Sequence, residues 1–129
     1  MNKYGVPASI KLAQALLESN AGNSVLSKKS NNHFGIKGSE SHCRNNTCVT
    51  HSDDSPNDRF KQYATVWESY RDHSKLLNSA RYKSLHNYSQ KDYKKWAAGL
   101  SNAGYASDIS YPKKLITLIE KYELYVYDK

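Results

Sequence analysis

The chain has 129 residues, the size of one ordinary domain, so residues 1–129 are expected to form a single unit with one core. Its 38% apolar content is modest, but 11 Tyr and 2 Trp supply large rings that a hydrophobic count undervalues. Nineteen Lys and Arg against 12 Asp and Glu leave a formal charge of +7, which predicts attraction to a polyanion, while no apolar run of about 18 residues is present to cross a membrane. Nucleic acid, an anionic membrane surface and bacterial wall polymers all satisfy the charge. Met1 to Gly5 leads into domain-like sequence with no apolar leader, so location has to be inferred indirectly.

The first helix is expected from Pro7 or Ala8 to about Asn20, because Ile10, Ala13 and Leu17 share one face and Gly22 can adopt a left-handed stop. Glu18 falls in its last turn, where the negative end of the helix dipole and partial burial would both push a carboxyl pKa upward. A raised pKa suits a general acid; the competing reading is a solvated surface glutamate.

Over residues 23–62 periodicity fades, and Phe34, Ile36, Val49 and Phe60 stand as isolated apolar anchors among Asn, Ser, His and Asp. Loops with one short β-hairpin are expected, forming a β lobe over about 35–62. Cys43 and Cys48, the only cysteines, have a Cys-x4-Cys spacing that suits a local disulfide and hence an oxidising compartment. Free thiols, or zinc held with His42 and His51, are the alternatives, although the spacing is not that of a zinc finger. Thiolate chemistry has no support, since neither cysteine sits at a helix start.

A second amphipathic helix is expected over Val66–Ser79 on Trp67, Tyr70, His73, Ser74 and Leu77, with Trp67 in the core. A short helix around Tyr82–Tyr88 follows. Ser89-x-x-Asp92 reads as a capping box ahead of Tyr93, Trp96, Ala97 and Leu100, with Gly104 as the stop. Pro112 opens the last helix, whose stripe is Leu115, Leu118, Ile119 and Tyr122. Asp72 and His73 are adjacent and point about 100° apart on a helix, so they make no dyad; a structural link to the β lobe is expected instead.

Four ordered segments carry a resemblance: Ala13-Gln14-Ala15-Leu16-Leu17-Glu18-Ser19; Asn31-Asn32-His33-Phe34-Gly35-Ile36-Lys37; Tyr63 to His73; and Ala103-Gly104-Tyr105-Ala106-Ser107-Asp108 with Tyr111. Together, from Val6 to about Leu124, they resemble glycoside hydrolase family 73, the glucosaminidase domains of bacterial autolysins and flagellar rod-assembly proteins.

The resemblance implies an α+β, mainly α, lysozyme-like fold in which a helical lobe and a small β-hairpin lobe flank a groove. It implies Glu18 as the catalytic acid and peptidoglycan glycan strands as the partner, cut after N-acetylglucosamine, with no cofactor and no metal. Nucleic acid then becomes unnecessary to explain the charge. The family's second acid lies on the β lobe, commonly a Glu in a Thr-x-Glu context; this chain offers Asp53 and Asp54 there, so a solvated turn before Pro56 competes. Substrate assistance, with Tyr105 or Tyr111 orienting the sugar, is a further route. Asn31 and Asn32 could bind acetamido groups or simply shape a turn, and Phe34 and Tyr105 could wall a cleft or pack in the core. A monomer acting outside the cytoplasm is expected, whether secreted, periplasmic or at the cell surface. The alternatives are a lytic transglycosylase or muramidase on the same scaffold, or a non-catalytic wall-binding module.

Overall fold

Capping chemistry decides where most of the helices start and stop. A computed structural model describes residues 4–19, 28, 30–37, 48–50 and 59–128, without the side chains of Val49, Thr50 and Arg59. Its elements are α1 (Ala8–Ser19), β1 (Cys48–Thr50), β2 (Arg59–Lys61), α2 (Val66–Leu76), a 3-10 segment (Ala80–Asn87), α3 (Tyr93–Asn102), α4 (Tyr111–Lys121) and a closing 3-10 turn (Leu124–Tyr127). The chain is mainly helical. No helix among the described residues is long and apolar enough to cross a membrane. Two compact units result, residues 1–14 with 74–129, and residues 15–73.

In the first unit, Ile10, Leu77, Trp96, Leu100, Leu115 and Ile119 have no exposed surface and form the core. Each such side chain contributes roughly 1.5–3 kcal/mol on leaving water. The first turn of α1 carries no acid of its own, and Asp128 supplies one: Oδ1 accepts from the Ser9 amide at 2.7 Å and Oδ2 from the Ser9 hydroxyl. A carboxylate there satisfies an orphan amide and the positive end of the helix together.

The expected capping box is corrected. Asp92 is itself the N-cap of α3, accepting from the Lys95 amide at 3.2 Å, while the Ser89 hydroxyl accepts from the Lys91 amide in the turn before it. The stop at Gly104 holds: φ is +83°, Gly104 N–H reaches the Ser101 carbonyl and Tyr105 N–H the Leu100 carbonyl, a Schellman closure. The last helix begins at Tyr111 with Pro112 in its first turn, after Asp108 Oδ1 accepts from the Ser110 amide. Its buried row is Tyr111, Leu115 and Ile119 at i, i+4 and i+8; Tyr122, expected on that stripe, is 54% exposed.

In the second unit β1 and β2 pair antiparallel, Val49 opposite Phe60. Lys37 bridges to Phe60, and the Lys61 amide donates to the Ile36 carbonyl at 2.9 Å. Thr65 caps α2 by accepting from the Glu68 amide. Asp72 makes the expected link from helix to strand, receiving the Lys61 ammonium at 3.2 Å and the Tyr63 hydroxyl at 2.5 Å. Burial and this bond push the Tyr63 hydroxyl pKa well above its usual value. Helix α2 stops at Leu76 rather than Ser79. Trp67 is also corrected: its angle on α2 matches the buried row, but it is exposed, as are Ala64, Thr65 and Val66 before it.

Candidate functional site

Glu18 stands in the last turn of α1, preceded by half-buried Leu16 and Leu17 and followed by buried Ser19, whose hydroxyl donates back to the Ala15 carbonyl at 2.5 Å. The partial burial expected of Glu18 is not found; the residue is exposed. Beside it lies the Asn31–Lys37 segment: a Cβ built on Gly35 would stand 3.8 Å from Glu18 Oε2. With φ at +65°, Gly35 adopts a conformation that L side chains rarely accept, and its bare Cα keeps the approach to the carboxylate uncluttered.

Asn32 builds that loop. It is 1% exposed; its Oδ1 accepts from the Phe34 and Ile36 amides at 3.4 and 3.2 Å, and its Nδ2 donates to the Ile36 and Lys61 carbonyls, both at 2.9 Å. All of this capacity serves backbone, which is the turn-shaping role among the two expected of it. Asn31, at φ +59°, donates to the Tyr63 and Ala64 carbonyls at 3.0 and 3.2 Å and fastens the same segment to the strand exit. Phe34, expected either to wall a cleft or to pack in the core, is 3% exposed, stacked on His73 at 3.8 Å and edge-on to Tyr70 at 4.9 Å. Neighbouring His33 has its pKa lowered by desolvation.

In the other unit, Tyr105 is half-buried, stacked on Tyr111 with ring centres 5.8 Å apart and tilted against Tyr82 at 6.0 Å. Tyr111 is 2% exposed and its hydroxyl accepts from Gln14 Nε2 at 2.9 Å, so it supports Tyr105 rather than presenting a surface. Arg81, which sequence reasoning missed, donates from Nε to the Ala103 carbonyl at 2.7 Å and from Nη2 to the Gly104 carbonyl at 3.0 Å, holding the turn that delivers Tyr105. A lone arginine in a polar 3-10 segment has no periodic signal.

Asp53 and Asp54 lie outside the described residues. Among the described acids of residues 15–73, Glu68 Oε1 accepts from the Thr65 hydroxyl, Asp72 holds Lys61 and Tyr63, and Glu18 lies beside the Gly35 turn. Cys48 is disulfide-bonded; Cys43, its expected partner, and His42 and His51 are outside the described residues. Among the described residues no three His, Cys, Asp or Glu are grouped to hold a metal ion. The arrangement can present one carboxyl group to a ligand's leaving oxygen, beside a turn fixed by buried amides.

Residues 1–124 match the glucosaminidase family model, described as mannosyl-glycoprotein endo-beta-N-acetylglucosaminidase. The chain is 38% identical over 137 residues to the exo-glucosaminidase LytG of Bacillus subtilis (strain 168), covering 98% of this chain and 48% of that protein. It is 30% identical over 128 residues to the peptidoglycan hydrolase FlgJ of Salmonella typhimurium (strain LT2), covering 91% and 40%. Among solved structures, the catalytic domain of the autolysin Auto from Listeria monocytogenes superposes with a TM-score of 0.79 at 37% identity, covering 98% of this chain and 77% of that one. The glycoside hydrolase domain of Salmonella typhimurium FlgJ gives 0.71 at 31%, covering 95% and 78%. The chain thus spans about half or less of the length of these curated relatives.

Proposed function

Because the chain belongs to the glucosaminidase family of glycoside hydrolases, we propose that it hydrolyses the β-1,4 bond following N-acetylglucosamine in peptidoglycan, with Glu18 as the general acid. The observation that carries this reading is the placement of Glu18 at the end of α1 against Gly35, inside two of the four segments that bear the family resemblance. An exposed carboxyl group is accessible to a long polymer. A bound sugar would displace water from around Glu18 and leave its carboxyl group facing the leaving oxygen.

The second carboxylate is assigned to Asp53 or Asp54, on the segment joining β1 and β2, and Tyr105 to orienting the reacting sugar, within a groove flanked by a helical and a β-hairpin lobe. The Cys43–Cys48 disulfide would close the β lobe. Relatives named as an autolysin and as peptidoglycan hydrolases support action on the wall outside the cytoplasm, and the +7 charge suits that anionic polymer. A monomer suffices for this chemistry.

Digestion of purified sacculi tests the reading. Mass spectrometry should find new reducing N-acetylglucosamine ends on internal fragments, and Glu18→Gln should lower the rate by at least about 100-fold. Anhydro-muramic ends would assign a lytic transglycosylase instead, and reducing N-acetylmuramic ends a muramidase. Release of single terminal sugars would replace the endo mode with the exo mode in LytG's name.

A further inference from the structure

Trp67 is 64% exposed and its neighbour Val66 39%, at the first turn of α2. One helical turn on, the Arg71 guanidinium carbon lies over the Trp67 ring, 4.7 Å from its centre. A guanidinium held over a ring face is attracted through its charge and keeps its N–H donors for other partners, and a carboxylate can take two of them. Among the described residues no acid pairs with Arg71, and Glu68, the acid between the two, turns back to the Thr65 hydroxyl. The arrangement is thus an aromatic face held in place by a cation whose donors remain unspent.

We propose that Trp67 and Arg71 form a saccharide-binding site for an N-acetylated amino sugar that carries a carboxylate, the sugar's C–H face lying on the indole and the carboxylate on the guanidinium. The ligand class rests on the peptidoglycan reading above, whose alternating residues include N-acetylmuramic acid, with a free lactyl carboxylate wherever the stem peptide has been removed. Each half of the pair matches a different half of that sugar. An uncharged N-acetylglucosamine residue would engage Trp67 alone, so the pair sets preference as well as affinity. No part of the site takes a catalytic role; it holds the strand.

The test uses the Glu18→Gln chain, so that ligands stay intact, with two probes: N-acetylglucosamine oligomers, and soluble peptide-free glycan strands whose muramic acid residues carry a free lactyl carboxylate. Trp96 is fully buried, so acrylamide quenching reads Trp67. Saturating either probe should shield Trp67 from acrylamide. Trp67→Ala should weaken binding of both probes by about tenfold, Trp67→Tyr should restore most of it, and Arg71→Gln should weaken only the muramic-acid strands. Equal loss on both probes for Arg71→Gln, or unshielded Trp67 at saturation, would overturn the proposal. Hydrolysis of sacculi by the unsubstituted chain is scored separately, so loss of the enzymatic reading and loss of this site are distinct results.

Discussion

At the scale of single residues, Asn32 and Gly35 define how Glu18 is presented. Asn32→Ala strands the Phe34 and Ile36 amides in a buried loop, which should cost about 2–3 kcal/mol of stability, read as a shift in urea midpoint. Activity should fall further than Asn31→Ala, whose amide bonds reach the surface. Gly35→Ala is different in kind: its methyl group would meet Glu18 Oε2 at ordinary contact distance, so the penalty is the left-handed backbone alone, roughly 1–2 kcal/mol. If that substitution left stability unchanged, the φ of +65° would not be the reason for glycine there.

At the scale of elements, the turn after α3 depends on two residues acting together. Arg81 grips the Ala103 and Gly104 carbonyls, and a Cβ at Gly104 would stand 2.5 Å from Arg81 Nη2. Arg81→Ala should therefore loosen Tyr105, and Gly104→Ala should cost strain plus displacement of the arginine. Combining them should cost less than the sum, by about 1 kcal/mol, since the displacement vanishes once Arg81 is gone. Strict additivity in thermal unfolding would sink that coupling. Helix boundaries such as Gly104 and Pro112 were legible because glycine and proline act locally, within a turn. The Glu18 and Asn31–Lys37 segments were legible through their resemblance alone. What escaped was set by particular distant partners: Gln14 meets the Tyr111 hydroxyl across 97 residues, Arg81 grips the Ala103 carbonyl 22 residues on, and Trp67 keeps its helical angle while remaining exposed.

At the scale of the whole molecule, titration of groups buried by folding should shape stability above neutral pH. Lys11 is half-buried, with its ammonium donating to the Ser74 hydroxyl, and desolvation lowers its pKa from 10.5 to about 8. The folded chain then holds fewer protons than the unfolded chain between about pH 8 and 10.5, so stability rises with pH across that window. Below it the full cost of the buried charge is present, on the order of 2 kcal/mol after partial solvation. Burial acts on Tyr63, Tyr70 and Tyr82 in the opposite sense: their pKa values are raised, so the folded state retains protons that the unfolded state releases above about pH 10, and stability falls there. The unfolding temperature should accordingly climb from pH 7, pass a maximum near pH 10, and drop beyond it. In Lys11→Met the alkaline drop should remain and the climb should flatten, because the methionine stem fills the same space with no charge to shed. A climb that survives the substitution would mean that another group, not Lys11, carries the charge that folding buries.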